Sequence, residues 1–179
     1  IRLSLPMEDA TIEAAHGHLE APLQGARVLV VDDNETCRKV LGEQCSSWGM
    51  QVNHVDSGHA ALALLRSKAS VGEEFDVVLL DQRMPRMNGM QLAASIKADS
   101  YLKNDILILM LTDLCDAPGV RQTRNAGIER VLTKPVAGFT LRTALTSGLE
   151  HRASSYTSGL HTLRSPEQLR VLVAEDSGI

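Results

Sequence analysis

Several features are scarce in this 179-residue chain, and each scarcity narrows what it can be. Basic charge is not in excess: 18 Lys and Arg against 22 Asp and Glu leave a net charge of −4. Without a basic footprint, nucleic-acid binding is not the default reading. No apolar run approaches the ~20 residues a membrane-spanning helix needs, and no secretory signal is visible. Cysteine is sparse. Cys37, Cys45 and Cys115 show no C-x-x-C spacing and are odd in number, which argues against a disulfide framework and suits a reducing compartment. Cys37 and Cys45 fall on an apolar helical stripe, where buried thiols are expected rather than redox or metal chemistry. The chain begins at Ile1 rather than methionine, so it is expected to be a piece of something longer.

What is present, 44% hydrophobic and 22% charged residues, suits one soluble domain of ordinary size with flanking pieces. From about residue 26 to 151 the pattern alternates strand and helix. "ARVLVV" (26–31) is apolar throughout, as a strand buried on both faces would be. Cys37, Val40, Leu41, Cys45 and Trp48 follow at helical spacing. "QVNHV" (51–55) alternates like a less buried strand, and "SGHAALALLRSK" (57–68) is a helix with Ser57 as its expected N-cap. "FDVVLLD" (75–81) is the third strand, "MQLAASIKA" (90–98) the third helix and "DILILMLT" (105–112) the fourth strand. A helix around 117–126, the strand "RVLT" (130–133) and a helix from about 137 to 150 complete the set. Five strands alternating with five helices imply an α/β fold: a five-stranded parallel sheet, right-handed crossovers and helices on both faces. Ligands of such sheets sit beyond the strand C-termini, where the strand order reverses.

The flanks differ from this core. Residues 7–25 are polar and rich in small residues, hence a linker; His16 and His18 there read as solvated rather than as metal ligands. Residues 152–168, rich in Ser and Thr, form a second linker. Beyond it, "RVLVAEDS" (170–177) repeats "RVLVVDDN" (27–34), with Glu175 on Asp32 and Asp176 on Asp33 at an offset of 143 positions. Such a repeat implies that residues 169–179 begin a second copy of the domain.

The strand ends carry the chemistry. Asp32 and Asp33 follow the first strand, Asp81 ends the third, Thr112 ends the fourth, and Lys134 follows the fifth. In a parallel sheet all of them converge on one edge. Crowded carboxylates repel, and the repulsion is relieved by protonation or by a cation. Hard oxygen ligands with open positions favour Mg²⁺, which keeps waters and takes phosphate oxygens. A carboxylate beside that ion can attack phosphorus to form an aspartyl phosphate, while a nearby ammonium neutralises the transferring oxygens and Thr112 donates to one of them. Pro135 would aim Lys134 inward. Taken singly, each residue is ordinary: strand-end aspartates cap helices, Asp-Asp favours a helix dipole, and Lys-Pro is a common surface dipeptide. Their joint occurrence, in order and at strand ends, is far more specific.

On "VLVVDDN", "VVLLDQRMPRMNG", "LMLT" and "TKPV", the chain resembles the response-regulator receiver family across about residues 26–151. The resemblance implies a flavodoxin-like receiver fold with strand order 2-1-3-4-5. It implies Asp81 as phosphoacceptor, Asp33 as a direct Mg²⁺ ligand, Asp32 as a water-mediated one and the Arg83 backbone carbonyl as a further ligand. Thr112 and Lys134 would read the phosphoryl group. The flanks resemble parts of a hybrid sensor histidine kinase: residues 1–6 the last strand of an ATP-binding domain, and 169–179 the start of a second receiver. Among such kinases the chain resembles the RetS-type sensors of the Gac network. The implied partners are a histidine kinase or histidine phosphotransfer domain, docking on the helix after "VDDN", and adjacent domains of a membrane-anchored parent whose receiver is cytoplasmic. No histidine box and no ATP-binding glycine motif occur in the chain, so it is not expected to phosphorylate itself from ATP.

Two positions depart from the family pattern. Where receivers carry a small residue after the threonine, this chain has Asp113. Pointing into the site, at about 4 Å and an effective dielectric near 20, it would oppose an incoming phosphoryl group by on the order of 4 kcal/mol before screening; the other reading is that it turns outward and caps the helix expected near Ala117. Val131 stands where many receivers place an aromatic ring that swings on activation, so altered coupling is expected. Both departures favour an alternative function, a pseudo-receiver that docks partners with little phosphorylation. The complete set of Asp32, Asp33, Asp81, Thr112 and Lys134 favours phosphoryl acceptance. A haloacid-dehalogenase-like phosphatase also uses an aspartate nucleophile but wants an acid two residues later, where this chain has Arg83.

Overall fold

The structure, a computed structural model, describes residues 23–161, with side chains through residue 153. The expected strand at 1–6, most of the first linker with His16 and His18, and the repeat at 170–177 lie outside the described residues. Five strands and five helices alternate: β1 (Arg27–Val31), α1 (Glu35–Ser47), β2 (Gln51–Val55), α2 (Gly58–Ser70), β3 (Val77–Asp81), α3 (Gly89–Ala98), β4 (Leu107–Thr112), α4 (Val120–Asn125), β5 (Arg130–Thr133) and α5 (Gly138–His161). All strands pair in parallel in the order β2-β1-β3-β4-β5, the topology that the family resemblance implies.

The near-continuous apolarity of β1, β3 and β4 follows from burial on both faces. Along β1, Leu29 and Val31 enter one core with Leu65, Leu80, Leu92, Ile96 and Ile108, while Val28 and Val30 enter the other with Leu41, Cys45, Leu79, Leu109 and Leu145. Each such fully buried aliphatic side chain contributes roughly 1.5–3 kcal/mol over its exposed state. β2 lies at the sheet edge with mostly exposed residues, as its alternating sequence implies. Leu23, at the end of the expected first linker, is itself buried in the core that holds Val28.

Helix starts follow local capping. Asn34 accepts from the amides of Thr36 at 2.9 Å and Cys37 at 3.2 Å. Asn88 and Gln91 form a reciprocal capping box at the start of α3. Ser57 is the N-cap position of α2 but makes no side-chain cap bond. The helix expected from 117 starts instead at Val120, after a 3₁₀ turn at Leu114–Asp116. Pro118 accounts for the delay, because the residue before a proline is pushed out of helical geometry, and Ala117 has ψ 118°. The last helix, expected to end near 150, continues to His161. Its Ser/Thr-rich end contains no proline before Pro166, so nothing in the sequence forces an earlier stop. Among the described residues, no helix is long and apolar enough to cross a membrane.

Candidate functional site

Strand register builds the site. Val31 pairs with Leu80, so Asp32, one residue on, lies beside Asp81 at the carboxyl end of the sheet. Asp81 in turn pairs with Leu111, the neighbour of Thr112, and Thr112 pairs with Thr133, the neighbour of Lys134. The site therefore sits where the chain order reverses, with β2 on one side of β1 and β3 on the other.

Carboxylate oxygens of Asp32, Asp33 and Asp81 lie within 4.8 Å of one another. Asp32 and Thr112 are each 1% exposed and Asp81 is 6% exposed, whereas Asp33 faces solvent. Lys134 Nζ lies 2.7 Å from Asp32 Oδ2 and 2.8 Å from Asp81 Oδ1, bridging the two buried acids. The Asn34 amide donates to Asp32 Oδ1 at 2.8 Å, and the Arg83 amide donates to Asp81 Oδ2 at 2.9 Å. Burial pushes the Asp81 carboxyl above its ordinary range; the Lys134 ammonium pulls the other way and Asp32 adds to the rise. Lys134 is itself held well above the ordinary lysine value: burial opposes the charge, and its bonds to Asp32 and Asp81 outweigh that.

Three acceptor-only carboxylates against one ammonium leave the cluster negative. Hard oxygens in that arrangement fit a small divalent cation such as Mg²⁺. The structure thus brings together Asp32, Asp33, Asp81 and Lys134, with Thr112 on the adjoining strand. Thr112 Oγ1 donates to the Asp113 carbonyl at 3.3 Å.

Asp113 takes neither expected orientation. Its side chain makes no cap bond; its carboxylate is paired with the Arg83 guanidinium, which also holds Asp116 Oδ2 at 2.9 Å. Sequence reasoning missed this contact by weighing only the Arg83 backbone. The signal was present, because Arg83 and Asp113 leave adjacent parallel strands at the same edge with opposite charge. Arg38 was also missed: its Nη1 donates to the Asp32 carbonyl at 2.6 Å, tying α1 to the site. Val131 is half-buried and packs against the core that holds Met110. The cysteine expectation needs one correction. Cys45 is buried, its thiol pushed up to about 12 by desolvation, but Cys37 is only half-buried because it sits in the exposed first turn of α1. Cys37, Val40, Pro135 and Val136 line an open groove of about 390 Å³ beside α1, with Asp113 and Lys134 also on its wall.

Known proteins resemble this chain in sequence and fold. The response regulator receiver domain pattern matches residues 28–146. The chain is 34% identical over 136 residues to the virulence sensor protein BvgS of Bordetella pertussis, covering 74% of this chain and 11% of that protein. It is 30% identical over 139 residues to the autoinducer 2 sensor kinase/phosphatase LuxQ of Vibrio cholerae, covering 75% of this chain and 15% of that one. The chain therefore spans only a small part of these relatives. Among solved structures, the chemotaxis response regulator CheY4 of Vibrio cholerae superposes with TM-score 0.60 at 27% identity, over 70% of this chain and 99% of that chain. A receiver domain protein from Clostridium thermocellum gives TM-score 0.64 at 23% identity, over 73% of this chain and 98% of that one, a likeness of fold.

Proposed function

The chain belongs to the response regulator receiver family of two-component signalling, and on that footing we propose that Asp81 accepts a phosphoryl group from a phosphohistidine. The observation that carries the proposal is the bridged cluster: Asp81 lies at the end of a buried strand, within reach of Lys134 and of two further carboxylates. An Asp81 oxygen attacks phosphorus and forms the O–P bond as the N–P bond breaks. The bonding pair returns to the ring nitrogen, and the ring leaves as neutral imidazole when its far nitrogen carries a proton. Lys134 neutralises charge on the transferring oxygens, and the Thr112 hydroxyl turns from the Asp113 carbonyl to donate to one of them. Asp32, Asp33, Asp81 and the Arg83 carbonyl would hold Mg²⁺, which when bound spreads charge off the phosphoryl oxygens.

The docking-only alternative rests on Asp113 closing the pocket and on the missing ring at Val131. Pairing of that carboxylate with Arg83 supports acceptance instead. The donor, a histidine kinase or histidine phosphotransfer domain, docks over the exposed part of α1, where Val40 is 48% exposed at the groove wall. Parent and location are extensions of the same reading: a RetS-type hybrid sensor kinase anchored in a membrane, with this receiver on the cytoplasmic side next to its kinase and a second receiver, and no nucleic-acid partner. Without a ring at Val131, the signal from the site leaves by an altered route.

Intact mass after incubation with Mg²⁺ and phosphoramidate tests acceptance, with Asp81→Asn as control. One phosphoryl adduct in the wild type and none in the variant is the expected result. Absence of an adduct from folded, Mg²⁺-binding protein rejects it.

A further inference from the structure

The residue two positions after Asp81 faces both ways. Its amide donates to Asp81 Oδ2 at 2.9 Å, and its guanidinium spans to the turn after β4, where it pairs with Asp113 and, at 2.9 Å, with Asp116. The Asp116 amide donates to the Asp113 carbonyl at 3.0 Å, so both acids belong to one tight turn. That turn begins one residue after Thr112, the residue whose hydroxyl must move toward the phosphoryl group. A planar guanidinium suits two carboxylates at once because its donors are fixed in a fork.

We propose that Arg83 is a positioning residue that admits the phosphoryl group by holding the Asp113 carboxylate aside. The inference rests on the phosphoacceptor reading above and adds to it a residue and a role. With the guanidinium in place, Asp113 is neutralised at the rim of the pocket. Without it, a carboxylate one residue from Thr112 is free to turn toward Asp32, Asp33 and Asp81. There it would attract a cation and repel a phosphoryl group. Opposite effects on cation and anion distinguish this role from simple support of the turn, which would weaken both.

The pairs are partly exposed, Arg83 at 66% and Asp113 at 45%, so the effects are modest. A double-mutant cycle on the full 179-residue chain isolates them, using wild type, Arg83→Ala, Asp113→Ala and the double variant. Mg²⁺ affinity is read by calorimetric titration, and acceptance by the rate of adduct formation from phosphoramidate. We expect Arg83→Ala to slow acceptance by about fivefold and to tighten Mg²⁺ by about threefold, the scale of exposed ion pairs in a small network. Removing Asp113 should matter little with Arg83 present. In the Arg83→Ala background it should recover most of the lost rate.

Arg83→Lys, which keeps the charge but offers no fork, should fall between wild type and Arg83→Ala in both measurements. Equal effects of Asp113→Ala in the two backgrounds would overturn the proposal, as would a fall of Mg²⁺ affinity and rate together in Arg83→Ala. If no form gains an adduct but the Mg²⁺ cycle shows the coupling, the phosphoacceptor reading fails while the positioning of Asp113 stands. If adducts form and neither measurement couples the two residues, the reverse holds. Absence of both Mg²⁺ binding and adduct in every form rejects both.

Discussion

Gly89 lies so close to Asp81 that a Cβ on it would stand 2.5 Å from the Asp81 carbonyl oxygen, 2.7 Å from Leu80 Cδ1 and 3.1 Å from Gln82 Cα. The glycine at the start of α3 is there for space. Its amide donates to the Gln82 carbonyl at 3.1 Å, so the helix start is pinned directly behind the end of β3. Because two of the three obstructing atoms are backbone, Gly89→Ala cannot be relieved by a side-chain rotation. We expect it to destabilise the fold by about 1–3 kcal/mol, as overpacking does. Thermal unfolding checks this, and an unchanged midpoint would mean that α3 can slide away from β3 at little cost.

Lys134 bonds both buried acids of the site, Asp32 and Asp81. Replacing it with alanine leaves Asp32 and Asp81 side by side without a counter-charge, a change that costs about 3–5 kcal/mol at fully buried pairs and less here, where the lysine is partly exposed. The loss has a specific remedy. Mg²⁺ binding the native state should raise the unfolding midpoint of Lys134→Ala by more than it raises that of the wild type, because the ion supplies the missing charge. Equal shifts in the two proteins would place the ion away from these carboxylates.

Most of the fold and of the strand-end cluster is legible in the sequence. Apolar runs such as "VVLLD" and "LILMLT" can be buried on both faces only in a covered parallel sheet, and strand ends of such a sheet share one edge, which is why Asp32, Asp81, Thr112 and Lys134 could be grouped from the sequence. The side-chain partners of the loops were harder to read. Asp113 reads as an intruder or a helix cap when only its own segment is considered, whereas its partner Arg83 comes from the loop after β3, 30 residues away. One helix start differs for a similar reason: Pro118 shifts α4, and periodicity alone does not register a proline outside the apolar stripe.

A second backbone position bears on the loop after Asp81. Arg86 has φ 68°, in the left-handed region, and the Met87 amide donates to the Pro85 carbonyl at 2.7 Å across it. A three-residue turn with positive φ at its centre is strained for any residue with a Cβ. Arg86→Gly should relieve that strain and stabilise the protein by about 0.5–1 kcal/mol, reduced by the extra freedom glycine has when unfolded. Denaturant unfolding reads the difference. A loss of stability would show that the Arg86 side chain makes a contact worth more than the strain.

Desolvation and Lys134 act on Asp81 in opposite directions, and the net rise in its carboxyl pKa says that desolvation prevails. The sign of the pH dependence follows. A carboxyl whose folded pKa lies above its unfolded value favours the folded state most when protonated, and that contribution is lost as pH rises through the folded pKa. Asp81→Asn cannot ionise and so escapes the loss. In the absence of Mg²⁺, the variant should therefore be more stable than the wild type at pH 7, with the advantage shrinking as pH falls toward the ordinary carboxylate range near 3.8. Mg²⁺ should reduce the advantage at pH 7, since the charged carboxylate is then a ligand and the amide a poorer one. Unfolding midpoints of the two proteins across this pH range, with and without the ion, decide the matter. A variant less stable than wild type at pH 7 without Mg²⁺ would mean that the Lys134–Asp81 pair contributes more than burial costs.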